Sequence, residues 1–304
     1  MIIAVFPGQG SQTPGFLTPW LQLEGAAARL AEYSEWAGVD LVAAGTDWDA
    51  DQIRDTRVAQ PLIVAASLLS WGALAERAAF AGVAGHSVGE FAAAAATGVL
   101  SDEDALRLVG IRGRAMAEAA SAEQTGMSAI IGGDEPSIVT RLEQLDLTPA
   151  NYNGAGQLVA AGSLAALQAL SADPPAGTRV IPLQVAGAFH TRYMAPAVDA
   201  LRQAAATVAP ADPDRTLWSN RDGASVGSGA EFLDLLVDQV ASPVRWDLCM
   251  AAFAADDVTG IVEFSPAGTL TGLAKRALRG VPGVAVKSPD DLLVAAALIS
   301  GENA

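Results

Sequence analysis

Apolar residues in this chain fall in short runs that end at Gly-rich turns, and these runs alternate with longer stretches of helical spacing. Residues 2–6, Ile-Ile-Ala-Val-Phe, carry no polar side chain and stop at Pro7-Gly8, the pattern of a buried strand. Helices are expected up to about residue 36, and an apolar helix over 61–75. A second apolar run, Phe80-Ala81-Gly82-Val83-Ala84, closes at Gly85-His86-Ser87-Val88-Gly89, and the alanine-rich stretch 91–97 after it reads as a helix. Residues 102–118 read as another helix. Ser101 is its N-cap, with Asp104 three residues on where a capping box usually has Glu.

Near Thr125 the rhythm changes. A strand is expected over 125–131 and a helix over 136–145 with proline in its first turn. Strands over 148–153 and 157–161 flank a Gly-rich turn, a helix covers 164–172, and a strand covers 179–185. That order, β-α-β-β-α-β, is the ferredoxin-like pattern. It predicts a small α+β domain, 125–188, inserted into an α/β main body made of 1–124 and 189–304. The body continues with a strand at 261–264. It ends at Ser265-Pro266-Ala267-Gly268, a turn expected to face the cleft. No repeat interrupts this plan.

A serine between a strand and a helix in a G-x-S-x-G run is the nucleophile elbow, so the main body is expected to be hydrolase-like, with a parallel sheet. Glycines flank the serine where a Cβ would clash, and the helix that follows begins with free backbone N–H groups. A serine hydroxyl needs a base. The chain has two histidines. His86 adjoins Ser87, and from a sharp turn its ring should point away from the hydroxyl. His190, in Ala188-Phe189-His190-Thr191, is therefore the candidate base. The opening turn Pro7-Gly8-Gln9-Gly10-Ser11-Gln12 follows the first strand, where α/β proteins bind ligands. It lacks the register and the lysine of a phosphate loop. Its amides suit polarising a carbonyl better than neutralising a phosphate.

Composition narrows the function. A 51% hydrophobic, 17% charged chain of 304 residues buries a large core and is not disordered. The formal net charge of −16 argues against nucleic acid. No apolar run has the roughly 18 to 20 residues of a membrane span, and the first one lacks the basic leader of a signal peptide. A single cysteine, Cys249, rules out an internal disulfide and fits a reducing cytoplasm. It lies in a stretch that reads as an amphipathic helix, and it reads as a buried structural thiol. No Cys/His cluster suggests a metal.

Together the Pro-Gly-Gln-Gly-Ser-Gln opening, the Gly-His-Ser-Val-Gly-Glu elbow and the distal Ala-Phe-His resemble the malonyl-CoA:acyl carrier protein transacylases of fatty acid synthesis. The acyltransferase domains of polyketide synthases share these motifs. The likeness extends through Val58-Ala59-Gln60-Pro61, Arg112-Gly113-Arg114-Ala115-Met116, Asn153-Gly154-Ala155-Gly156-Gln157 and Leu270-Thr271-Gly272-Leu273. It implies a serine acyltransferase with no bound cofactor. Malonyl would pass from a coenzyme A thioester, through an ester on Ser87, to the phosphopantetheine thiol of an acyl carrier protein.

The same resemblance assigns roles. The backbone N–H of Gln9 joins that of Val88, next to the nucleophile, as the oxyanion hole. The backbone carbonyl of Gln239 orients His190, since no compelling acid precedes it. Arg112 grips the malonyl carboxylate with its two-pronged guanidinium. Phe189 fills the space that an α-methyl on the acyl group would need. Gln60, Asn153 and Gln157 are further amides for the pocket. An acidic chain that binds anionic coenzyme A and an acidic carrier needs local cations. The candidates are Arg107, Arg112 and Arg114, Lys275, Arg276 and Arg279, and Arg192. Two readings compete: a serine thioesterase or esterase that shares the elbow, and a non-catalytic carrier-binding subunit.

Overall fold

The computed structural model describes residues 1–301. Ten strands are described: β1 (Ile2–Phe6), β2 (Gly82–Gly85), β3 (Thr125–Gly132), β4 (Thr148–Gly154), β5 (Gln157–Ser163), β6 (Thr178–Pro182), β7 (Thr216–Trp218), β8 (Val244–Arg245), β9 (Gly260–Glu263) and β10 (Gly283–Ala285). They form two five-stranded sheets.

The first sheet has the order β10-β9-β1-β2-β7, with every pairing parallel. Alternate residues of a strand face opposite sides, so a strand covered on both sides must be apolar throughout. In β1, Ala4 and Phe6 join the core built with helices Thr56–Ala73, Gly89–Ala96 and Asp102–Ala122. Ile3 and Val5 face the other side, with Trp246, Cys249 and Phe253 of helix Trp246–Ala255. The unbroken apolar run of residues 2–6 follows from this double burial. Cys249 is fully buried, in keeping with a structural thiol.

The second sheet has the order β6-β3-β5-β4-β8. Strands β3 to β6 pair antiparallel, with helices Glu135–Gln144 and Leu164–Ala172 in the connections. Ile130, Leu158 and Ala160 of the sheet pack against Ile138, Leu142, Leu167 and Leu170 of those helices. The fifth strand comes from elsewhere. β8 lies outside the expected 125–188 segment, yet it pairs parallel with β4 through Asn151–Val244 and Tyr152–Arg245.

Two expected elements move. The helix placed at 61–75 runs Thr56–Ala73, and the Asp55 side chain caps it by accepting from the Arg57 N–H. Pro61 lies inside it: the cap sets the start, and the proline removes only one backbone donor. The strand expected at 179–185 runs Thr178–Pro182. Among the described residues no helix is long and apolar enough to cross a membrane.

Candidate active site

The parallel register places β1 and β2 side by side, ending together at Phe6 and Gly85. The turns that leave them are therefore neighbours. One carries Gln9 and the other Ser87, and the His86 N–H donates to the Phe6 carbonyl across 2.9 Å. After Gly85 the chain reverses so tightly that Ser87 takes a positive φ of 53°. A Cβ at Gly85 would strike the backbone of Gly89 and Glu90, and one at Gly89 would strike the Phe6 carbonyl. Only glycine fits these two contacts, and helix Gly89–Ala96 starts at once. The Ser87 N–H donates to Asn220 Oδ1 at 2.7 Å, and Asn220 Nδ2 donates to the Gly85 carbonyl at 2.7 Å. Asn220 follows β7, the strand beside β2, so a neighbouring strand end clamps the elbow.

His190 lies on the return from the small sheet, in a left-handed conformation with φ of 61°. The Thr125 hydroxyl accepts from the Ala188 N–H, and Thr191 Oγ1 donates to the Ala188 carbonyl, which fixes this loop. The His190 Nε2 is 2.7 Å from Ser87 Oγ, and Nδ1 is 2.8 Å from the Gln239 backbone carbonyl. A carbonyl can only accept, so Nδ1 carries the proton and Nε2 offers its lone pair to the serine. Burial, and then the Arg112 charge, lower the His190 pKa to about 3, so the ring is neutral. The other imidazole points away, as expected. His86 Nε2 meets Asn153 Oδ1 at 2.9 Å, and the ring packs edge-on to Trp246.

Arg112, on helix Asp102–Ala122, is 1% exposed and borders the same cleft as Ser87 and His190. Its Nη1 donates to Gln60 Oε1 at 2.7 Å and its Nη2 to Gln239 Oε1 at 3.0 Å. The buried Nε has no partner among the described residues. Gln9, Gln60, Val88, Asn153, Gln157 and Phe189 line this cleft as well. Among the described residues the N–H groups of Gln9 and Val88 donate to no other group. The cleft thus presents a serine beside a neutral imidazole, two free backbone donors and the Arg112 cation.

Some expected residues lie elsewhere. The Ser265–Gly268 turn stays out of the cleft because Ser67 and Ser70 hold Ser265 in the core. The next helix, Thr269–Ala277, reaches the cleft through Thr269, Leu270 and Leu273. Arg107 is paired with Asp104 and Arg192 with Asp146, while Arg114 donates to the Ala37 carbonyl. Asn220 escaped the sequence reading, although the carboxyl end of a parallel strand is where to look. Glu90 closes the elbow motif, where its sequence position points to no chemistry. It is buried, with its pKa raised to about 8 by desolvation.

The acyl transferase domain model matches residues 3–291, and the chain belongs to that family. Within the family, the malonyl CoA-acyl carrier protein transacylase of Mycobacterium tuberculosis is 58% identical over 296 residues, 96% of this chain and 98% of that protein. The crystal structure of MCAT from the same organism superimposes with a TM-score of 0.93, covering 96% of this chain and 98% of the other. A complex of a type II polyketide synthase acyl-carrier protein with its malonyl-transacylase contains a chain of TM-score 0.90. That chain is 31% identical, with 97% of this chain and 98% of it covered.

Proposed function

We propose that this chain moves malonyl from malonyl-CoA to the phosphopantetheine thiol of an acyl carrier protein, in the cytoplasm, for fatty acid synthesis. The observation that carries this is the line from Ser87 Oγ through the His190 ring to the Gln239 carbonyl, with Arg112 in the same cleft. Ser87 Oγ attacks the thioester carbonyl while its proton passes to His190 Nε2. The Gln9 and Val88 N–H groups hold the oxyanion, each worth about 2.7–4 kcal/mol of barrier by analogy with other such donors. The intermediate collapses, the C–S bond breaks, and the coenzyme A thiolate takes the proton from His190. The second half runs in reverse. The carrier thiol gives its proton to His190, attacks malonyl-Ser87, and the serine leaves as the free hydroxyl.

Arg112 holds the malonyl carboxylate, and Phe189 crowds an α-methyl. Gln60 acts by fixing Arg112, while Asn153 and Gln157 bound the cleft. The main body, 1–124 and 189–304, reads as hydrolase-like, and 125–188 reads as ferredoxin-like, since its strands take the order fourth, first, third, second. Lys275, Arg276 and Arg279 suit an acidic carrier better than Arg107 or Arg192. They are exposed and form no ion pair among the described residues. The test is the intact mass after exposure to malonyl-CoA without acceptor. It should rise by one malonyl, and Ser87→Ala should abolish the rise. Labelling that persists in Ser87→Ala defeats the assignment, and hydrolysis as fast as transfer to carrier would favour a thioesterase.

A further inference from the structure

Glu90 touches none of the reacting groups, yet it is bonded to the residues that hold them. It is 1% exposed, in the first turn of helix Gly89–Ala96. Its Oε1 accepts from the Asn220 N–H at 2.7 Å, and its Oε2 accepts from the side-chain amide of Gln239. Asn220 clamps the Ser87 turn. The Gln239 side chain donates to the Ser87 carbonyl at 3.2 Å and accepts from Arg112 Nη2 at 3.0 Å. Glu90 does not line the acyl cleft. It faces a separate, smaller cavity, with Ser219, Arg221 and Asp238.

The amide of Gln239 has one donating end and one accepting end. Both oxygens of Glu90 face N–H donors, which suits a carboxylate. The carboxylate draws the NH2 end of Gln239 toward itself, and the oxygen end is left for Arg112. Turned round, the amide would present donors to a guanidinium that has only donors. Glu90 also supplies the charge that most directly balances the buried Arg112. Among the described residues the hydrogen bonds of Arg112 go to neutral amides alone. A buried cation without a balancing anion is costly.

We propose that Glu90 is a positioning residue for acyl selectivity: acting through the Gln239 side-chain amide, its carboxylate holds the Arg112 guanidinium ready for a carboxylate-bearing acyl group. The inference rests on Arg112 being the carboxylate clamp. It predicts a pH signature. The charges of Arg112 and Glu90 act on each other, Cys249 feels the Glu90 charge, Arg221 and Asp238 share the small cavity with Glu90, and His86 and His190 line the acyl cleft. Burial pushes the Cys249 thiol up and lowers His86, while His190 and Arg112 lie at about 3 and about 10. Glu90, at about 8, changes charge between pH 6 and 9. It ionises as pH rises, so the malonyl-to-acetyl preference should rise with pH over that window.

The experiment measures kcat/KM for malonyl-CoA and acetyl-CoA, with acyl carrier protein as acceptor, in wild type, Glu90→Gln, Arg112→Ala and the double variant. At pH 9, where Glu90 is ionised, Glu90→Gln should lower malonyl transfer about tenfold, the equivalent of one weak charge-assisted bond, and move acetyl transfer less than about threefold. The pH dependence of the preference should flatten. In the Arg112→Ala background the substitution should cost no further selectivity, because both act on one contact. Equal losses for the two thioesters, or losses that add to those of Arg112→Ala, would overturn the proposal. If Arg112→Ala alone strikes both thioesters equally, the clamp itself fails. If it is selective while Glu90→Gln is not, only the role of Glu90 fails. Should Glu90→Gln not fold, Gln239→Met decides. It deletes the amide but keeps the backbone carbonyl facing His190, so a selective malonyl loss supports the inference and an even loss defeats it.

Discussion

Replacing Arg112 by alanine removes a buried cation that borders the acyl cleft beside Ser87 and His190. A guanidinium has five N–H donors. Two are used, on Gln60 and Gln239, which leaves three, including the unpartnered Nε. The group is already buried, so an incoming carboxylate meets a donor set whose desolvation was completed on folding. A hydrogen bond to a charged group contributes about 1.5–3 kcal/mol. Losing it should lower malonyl kcat/KM about tenfold to a hundredfold or more. Acetyl-CoA carries no carboxylate and should lose little, or gain, once a buried charge no longer faces an uncharged methyl. The assay compares kcat/KM for the two thioesters with one carrier protein. Arg112→Ala also strands two glutamine oxygens and opens a cavity, so Arg112→Met, which refills the apolar volume, is the companion. Arg112→Lys should recover only part of the activity, because an ammonium is a point charge. Equal losses for malonyl and acetyl in both Arg112→Ala and Arg112→Met would refute the reasoning and make Arg112 structural.

Two other outcomes follow from the elbow and the base. Gly89→Ala should destabilise the fold by about 1–3 kcal/mol and slow acylation of Ser87, since the new methyl runs into the Phe6 carbonyl. Thermal melting and a mass-based acylation rate check it, and wild-type values for both would exclude the close approach. His190→Gln should alter acid stability. The folded ring binds its proton only near pH 3, while the unfolded one binds it below 6.5. The unfolded state therefore takes up more protons across that window, and this group withdraws stability as pH falls. Urea titrations from pH 7 to pH 4 should show a gentler loss in the variant, and parallel curves would count against a buried neutral imidazole.

The elbow was legible because its demands are local. Glycine at 85 and 89 marks backbone crowding, and an apolar run before it with alanines after it marks the change from strand to helix. The elements of residues 125–188 were legible too, since each is bounded by Gly, Pro or Ser. What escaped depends on distance along the chain. Gln239 looks like any helix-end glutamine, and only the family resemblance drew its carbonyl toward His190. Asn220 and Glu90 are tied together across 130 positions. No spacing rule reaches that far. Helix Thr56–Ala73 starts five residues before Pro61, where the apolar run begins, because the Asp55 side chain caps it there. β8, two residues long, has no periodicity to detect.

That short strand has a consequence for anyone who cuts and splices this fold. Val244 and Arg245 bind the edge of the small sheet a few residues after the carbonyl that faces His190. A graft that takes 125–188 from a relative leaves behind the edge partner against which β4 was shaped. Any mismatch there is passed along the backbone to Gln239, and so to the angle of the imidazole. The portable cassette is therefore discontinuous: it must carry the segment around 239–245 with it, or the borrowed piece arrives without its own alignment of the base.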